Sequence, residues 1–116
     1  MAYSPKFQAL ADTARSRVSG VPADQVDALL AAGSVALDIR DPDEHAAGHI
    51  PGSLHLSRGK LEMNVEALIP DPATPILCYC NAVNRGALSA AALQGMGYTN
   101  VRFIDGGLNA WRALPR

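Results

Sequence analysis

Pro75-Ile-Leu-Cys-Tyr-Cys-Asn-Ala-Val-Asn-Arg85-Gly-Ala-Leu-Ser-Ala-Ala-Ala-Leu-Gln94 is the stretch that decides how this chain folds. Its first five residues form an uninterrupted apolar run, the pattern of a strand covered on both faces. From Arg85 to Gln94 the chain is rich in alanine and leucine, the best helix formers, so a helix follows after a short loop and Gly95 or Gly97 ends it. A buried strand feeding a helix is the repeating unit of an α/β domain built on a largely parallel sheet.

Upstream the same alternation continues. Phe7 to Arg17 reads as a helix with Phe7, Leu10, Ala11 and Ala14 on one face, placed either to cover a sheet edge or to pair with a second copy. Val18-Ser-Gly-Val21 reads as an edge strand, and Pro22 opens a helix carrying Val26, Leu29 and Leu30 that Gly33 stops. Val35-Ala-Leu-Asp38 is a buried strand. Asp41-Pro-Asp-Glu44 has the form of a capping box with proline at the first helical position, and Gly48 closes that short helix. Leu54-His-Leu56 is a small strand, and Arg58 to Ile69 suits a helix with Leu61, Val65 and Leu68 inward. Downstream, Val101-Arg-Phe-Ile104 is a strand, and Gly106-Gly107 precedes a terminal helix with Trp111 plugging the core.

At 116 residues the chain suits one domain, with residues 1–17 read as a helical extension and 18–116 as the domain proper. Hydrophobic residues make up 48% and charged ones 18%, which excludes a disordered chain. A net charge of −1 provides no basic field for nucleic acid and no polybasic patch for a membrane surface. No apolar run has the length of a membrane span, and Met1-Ala-Tyr-Ser-Pro-Lys6 lacks a signal peptide's apolar stretch, so the expected location is the cytoplasm. Two cysteines one residue apart are too few for a disulfide framework.

Chemistry concentrates at Cys80-Asn-Ala-Val-Asn-Arg85. The carboxyl ends of parallel strands are where such sheets bind ligands, and a tight strand-to-helix loop aims backbone N–H groups at one point. The helix N-terminus and the Arg85 guanidinium add positive potential. A cysteine at the end of a strand is often only a small buried hydrophobe. Placed before four loop residues, an arginine and a helix, Cys80 is instead read as a thiolate nucleophile. Cys78 lies within the strand and is read as core; a Cys78–Cys80 disulfide or a metal held by the pair fits the spacing less well.

Three segments carry a resemblance to a known family. Leu37-Asp-Ile-Arg-Asp-Pro-Asp-Glu-His-Ala-Ala-Gly-His-Ile-Pro-Gly-Ser53, Leu77-Cys-Tyr-Cys-Asn-Ala-Val-Asn-Arg85 and Asp105-Gly-Gly-Leu-Asn-Ala-Trp111 together resemble the single-domain rhodaneses, which are sulfurtransferases. The likeness runs from about Val21 to Trp111. It implies a five-stranded parallel sheet flanked by helices and a persulfide-forming cysteine, which maps onto Cys80. The loop residues Asn81, Ala82, Val83, Asn84 and Arg85 are read as a cradle for the donor, and Asp38 and Arg40, at the end of a neighbouring strand, as support that orients it. No cofactor or metal is called for. The partners are a small sulfur donor and an acceptor such as cyanide, a small thiol or a protein thiol, with no nucleic acid or membrane.

The loop departs from the family pattern by containing no glycine, which would supply positive φ angles most easily, and Val83 is the residue least suited to them. Arg85 is its only cation. That disfavours the thiosulfate dianion and favours polysulfides and persulfides, unless Arg58 or Lys60 supplies a second charge. Asp38 and Arg40 are read first as a loop-anchoring ion pair, Glu44 as a helix cap and His49 as bonded to nearby backbone. His45 and His55 are read as rim residues, and Asp105 as a loop tether. Two alternatives stay open. A cysteine phosphatase or arsenate reductase needs Cys-x5-Arg, which neither Cys80-x4-Arg85 nor Cys78-x6-Arg85 matches. A non-catalytic binding module would form no persulfide.

Overall fold

The computed structural model describes residues 3–115; Met1, Ala2 and Arg116, at the ends of the expected extension and domain, lie outside the described residues. The order of elements is α1 (Pro5–Arg17), β1 (Gly20–Val21), α2 (Val26–Ala31), β2 (Val35–Asp38), α3 (Pro42–Ala47), β3 (Leu54–His55), α4 (Leu61–Leu68), β4 (Ile76–Tyr79), α5 (Asn84–Gly95), β5 (Val101–Ile104) and α6 (Gly107–Arg112). Short 3₁₀ turns over Ala23–Gln25 and Arg58–Lys60 lead into α2 and α4, so the helices expected there begin later than the apolar pattern indicates. One parallel sheet has five strands in the order β1-β5-β4-β2-β3.

Strand β4 is central, and its period of two explains the core. Ile76 and Cys78 face a layer containing Leu61, Val65, Ala87, Ala90 and Leu93 from α4 and α5. Leu77 and Tyr79 face Val26, Ile104 and Leu108, with α2 and α6 on that side. All four residues of β4 are buried, as an uninterrupted apolar run requires. The edge strands are shorter than expected: Val18 and Ser19 lie outside β1, and Leu56 lies outside β3.

Helix α1 begins at Pro5, earlier than expected, because Ser4 caps it by accepting from the Phe7 N–H at 3.3 Å. It packs on α5. Its contact face is narrow: Ala11 and Ala14 are buried, whereas Leu10, expected inward, is 63% exposed. Likewise Leu68 points outward while Ile69, just past α4, takes the buried place. No helix among the described residues is long and apolar enough to cross a membrane.

Candidate active site

Cys80 follows the last residue of β4 and keeps the strand's alternation, so it lies on the same side as Cys78, toward α5. The two thiols nevertheless have different surroundings. Cys78 is sealed in the core, and burial pushes its thiol up to about 12. Cys80 is 3% exposed and borders a hollow of about 240 Å³. The Gly86 N–H donates to its Sγ at 3.4 Å. A Cβ at position 86 would lie 3.4 Å from the Cys78 carbonyl oxygen and the Tyr79 Cα, which places the first turn of α5 directly on the end of β4. The sulfur therefore lies at the positive end of a 12-residue helix.

The loop from Asn81 to Val83 is built without a left-handed residue. No non-glycine residue among those described has positive φ, and Val83 sits at φ −129°. The expectation that this loop calls for positive φ angles is therefore corrected: the freedom is used across from it, at Gly106 (φ +77°) and Gly107 (φ +58°). A side chain at Gly107 would run into the carbonyl oxygens of Cys80 and Ala82. With none there, the first turn of α6 closes onto the loop: the Leu108 N–H donates to the Cys80 carbonyl at 2.8 Å and the Asn109 N–H to the Asn81 carbonyl at 3.1 Å. Carbonyl and N–H of one trans peptide point oppositely, so the N–H groups of Asn81 and Ala82 are turned away from α6. Among the described residues nothing accepts a hydrogen bond from the N–H of Asn81, Ala82 or Val83. These amides remain available to an anion.

A charged network holds the other flank. Arg40 and Asp38 form a buried pair with Nε–Oδ1 at 2.9 Å and Nη2–Oδ2 at 2.7 Å, their side chains 4% and 0% exposed. Arg40 also donates to the Gly48 carbonyl at 2.7 Å and to Asn81 Oδ1 at 3.1 Å. Asn81 Nδ2 donates to Glu44 Oε2 at 2.9 Å, and Arg85 forks onto both Glu44 oxygens at 2.7 and 3.0 Å. Burial by itself would raise the Asp38 carboxyl, but hydrogen bonds from Arg40 and His45 outweigh it and hold it below the ordinary value. The Arg85 fork, helped by the Asp41 N–H, brings Glu44 down to about 2. The same fork raises Arg85.

Residues 22–114 match the model of the rhodanese-like domain. This chain belongs to the rhodanese-like domain family. Thiosulfate sulfurtransferase GlpE of Pseudomonas entomophila is 39% identical over 98 residues, spanning 84% of this chain and 88% of that protein. Among solved structures, the 30 kDa polysulfide-sulfur transferase homodimer of Wolinella succinogenes is similar, with TM-score 0.76 and 28% identity over 95% of this chain and 85% of that one. A Rhodopseudomonas palustris protein of unknown function described as a possible tyrosine phosphatase has TM-score 0.77 and 33% identity over 97% and 92% of the two chains.

The rhodanese-like chain brings Cys80, Asn81, Ala82, Asn84 and Arg85 to one hollow, while Val83 packs against the core behind it. Asp38 and Arg40 do not reach the hollow. They form the anchoring ion pair and act on the loop through Asn81. Arg58 pairs with Glu62 at 2.8 Å, and Lys60 borders a different hollow beside Leu56 and Leu68, so neither supplies a second charge at Cys80. Glu44 does complete the capping box, accepting from the Asp41 N–H at 3.1 Å, yet it is also Arg85's counter-ion, a role the local sequence gives no signal for. His49 bonds the His45 carbonyl at 2.8 Å. His45 and His55 are more than rim residues: His45 Nδ1 contacts Asp38 Oδ2 and His55 Nε2 the Arg40 carbonyl, both at 2.8 Å. Asp105 pairs with Arg15 of α1 at 3.4 Å and so tethers a helix rather than a loop. Trp111 is only partly buried against the core, and its Nε1–H donates to Asp27 at 2.9 Å. Unforeseen in the sequence were Tyr3, Phe7 and Asn109, which also line the Cys80 hollow.

Proposed function

We propose that this rhodanese-like chain is a sulfurtransferase that carries sulfane sulfur as a persulfide on Cys80. The single observation that supports it most is Cys80 bordering a hollow, under the N-terminus of α5, beside amides with no other acceptor among the described residues. The thiolate attacks the outer sulfur of a donor R–S–S⁻. A new S–S bond forms on Cys80, the donor's S–S bond breaks, and R–S⁻ leaves. With thiosulfate the leaving group is sulfite. The persulfide anion is then stabilised by amide dipoles already in place, which costs no reorganisation at the moment of transfer. Cyanide, a small thiol or a protein thiol takes the outer sulfur and restores the thiolate.

Asn81, Ala82, Val83, Asn84 and Arg85 form the donor-binding loop, and Asp38 and Arg40 hold it through Asn81. Because Arg85 is already neutralised by Glu44, singly charged organic persulfides are better donors than the thiosulfate dianion. The sulfurtransferase unit spans residues 18–116, with 1–17 as an extension, and chemistry on a free thiol suits a reducing compartment such as the cytoplasm.

The test is mass spectrometry of the Cys80 peptide after incubation with thiosulfate or polysulfide. A gain of about 32 Da is expected in the wild type and in Cys78→Ser, and none in Cys80→Ser, with turnover in Cys80→Ser at the uncatalysed background. Transfer retained by Cys80→Ser but lost in Cys78→Ser would reverse the roles. No persulfide with any donor would leave a binding module. Hydrolysis of an aryl phosphate that disappears in Cys80→Ser would point to a phosphatase instead.

A further inference from the structure

We propose that α1 and the residues leading into it form the donor-selecting wall of the Cys80 site, with Tyr3 and Phe7 binding the apolar body of a singly charged organic sulfur donor. This rests on the sulfur-transfer reading above. Both rings line the hollow that Cys80 borders, and their centroids are 5.3 Å apart at a tilt of 49°. Tyr3 is 58% exposed, a large aromatic surface that packing of α1 does not use, since the helix is held on α5 through Ala11 and Ala14.

The position of the wall relative to the sulfur is set by contacts on either side of it. Gln8, one residue beyond Phe7, exchanges amide hydrogen bonds with Asn84 at 3.1 and 3.4 Å, tying α1 to the first residue of α5, next to Arg85. Arg15 reaches Asp105 at 3.4 Å, next to the Gly106-Gly107 turn that closes on the same loop.

The charge of the hollow points to the same class of donor. Among the described residues that line it Arg85 is the only cation, and Glu44 takes both of its forks. A dianion would enter against little net positive potential, whereas a monoanion with an aromatic body gains contact with the rings. A cavity of about 150 Å³ suffices for benzene, so about 240 Å³ holds a ring together with a sulfonyl or sulfur group. The donor class is therefore an organic persulfide or thiosulfonate with an apolar substituent. With a thiosulfonate, Cys80–S⁻ attacks the terminal sulfur of ⁻S–SO2–R, the S–S bond forms, the S–SO2 bond breaks, and the sulfinate RSO2⁻ departs with the bonding pair. The charge is two negative before and after.

The test compares benzenethiosulfonate with methanethiosulfonate, which carry the same charge, using the full chain with cyanide as acceptor and thiocyanate as readout. In Tyr3→Ala/Phe7→Ala the ratio of kcat/KM for the benzene over the methane donor is expected to fall about tenfold, through KM for the benzene donor. Tyr3→Phe should keep the wild-type ratio. Should the double variant fail to fold, Tyr3→Ala alone, which removes an exposed ring, is expected to lower the ratio about threefold. An unchanged ratio, or an equal loss on both donors as a purely structural role would give, overturns the proposal. A normal persulfide on wild-type Cys80 with an unchanged ratio sinks only the role of α1. No persulfide on Cys80 from any donor sinks the sulfur-transfer reading and this inference together.

Discussion

On one side of the Cys80 hollow, Asp38, Arg40, Asn81, Glu44 and Arg85 are joined by hydrogen bonds of 2.7 to 3.1 Å in which every charge already has a partner. On the other, Tyr3 and α1 present two aromatic rings and the Gln8 amide, and the ion pair of Arg15 with Asp105 lies at the helix's far end. The contrast separates two tasks. Buried charges that satisfy one another hold the loop in place but leave little field for an incoming anion. An open apolar surface contributes little to folding and is free to discriminate between donors.

The largest effect should come from breaking the charged side at its buried centre. Arg40→Ala leaves the Asp38 carboxylate at 0% exposure without its main partner, and is expected to cost about 3–5 kcal/mol in urea unfolding. A loss under about 1 kcal/mol would mean that water or His45 replaces the guanidinium and that the network is not what anchors the loop.

A smaller effect is expected one link nearer the sulfur. Glu44 titrates at about 2 when folded against 4.5 ordinarily, so its pair with Arg85 stabilises fully above about pH 4.5 and is lost as pH falls toward 2. With the pair partly open to water, Glu44→Gln should cost about 1–2 kcal/mol at pH 7, and the gap from wild type should close by about pH 2. The same change releases Arg85, so KM for thiosulfate should fall about threefold or more. A thiosulfate KM that does not move would show that the guanidinium does not face the donor in either form.

The smallest change belongs to the apolar side. Gln8→Ala removes the exchange with Asn84 and is expected to cost about 0.5–1 kcal/mol, because the freed Asn84 amide can turn to water. Thermal unfolding of the pair Gln8→Ala and Glu44→Gln, singly and together, should show near-additivity; coupling above about 0.5 kcal/mol would mean that the two walls act as one unit.

Much of the architecture was legible in single stretches. Ile76 to Tyr79 read as a doubly buried strand because four apolar residues in a row have no solvent side, and Asp41 with Glu44 read as a capping box because its hydrogen bonds span only three residues. The misreadings share one cause. Leu10 and Leu68 have the right period for an inward face, but how wide that face is depends on the neighbour, and α1 buries only Ala11 and Ala14. Val83 looked strained only on the assumption that the loop itself must bend through positive φ, when Gly106 and Gly107 carry that geometry from the opposite side.

Local order alone determined the α/β alternation, the Cys80-x4-Arg85 spacing and the in-strand place of Cys78, because strand period, helix propensity and capping act over a few neighbours. Tertiary structure alone decided that Glu44 neutralises Arg85, that Asn81 is gripped from Arg40, and that Tyr3 and Phe7 line the hollow beside Cys80. Those partners are far apart in the chain and meet only once the order β1-β5-β4-β2-β3 brings the end of β2 beside the end of β4 and α1 onto α5. Pairings across such distances leave no periodic trace in the residues that make them.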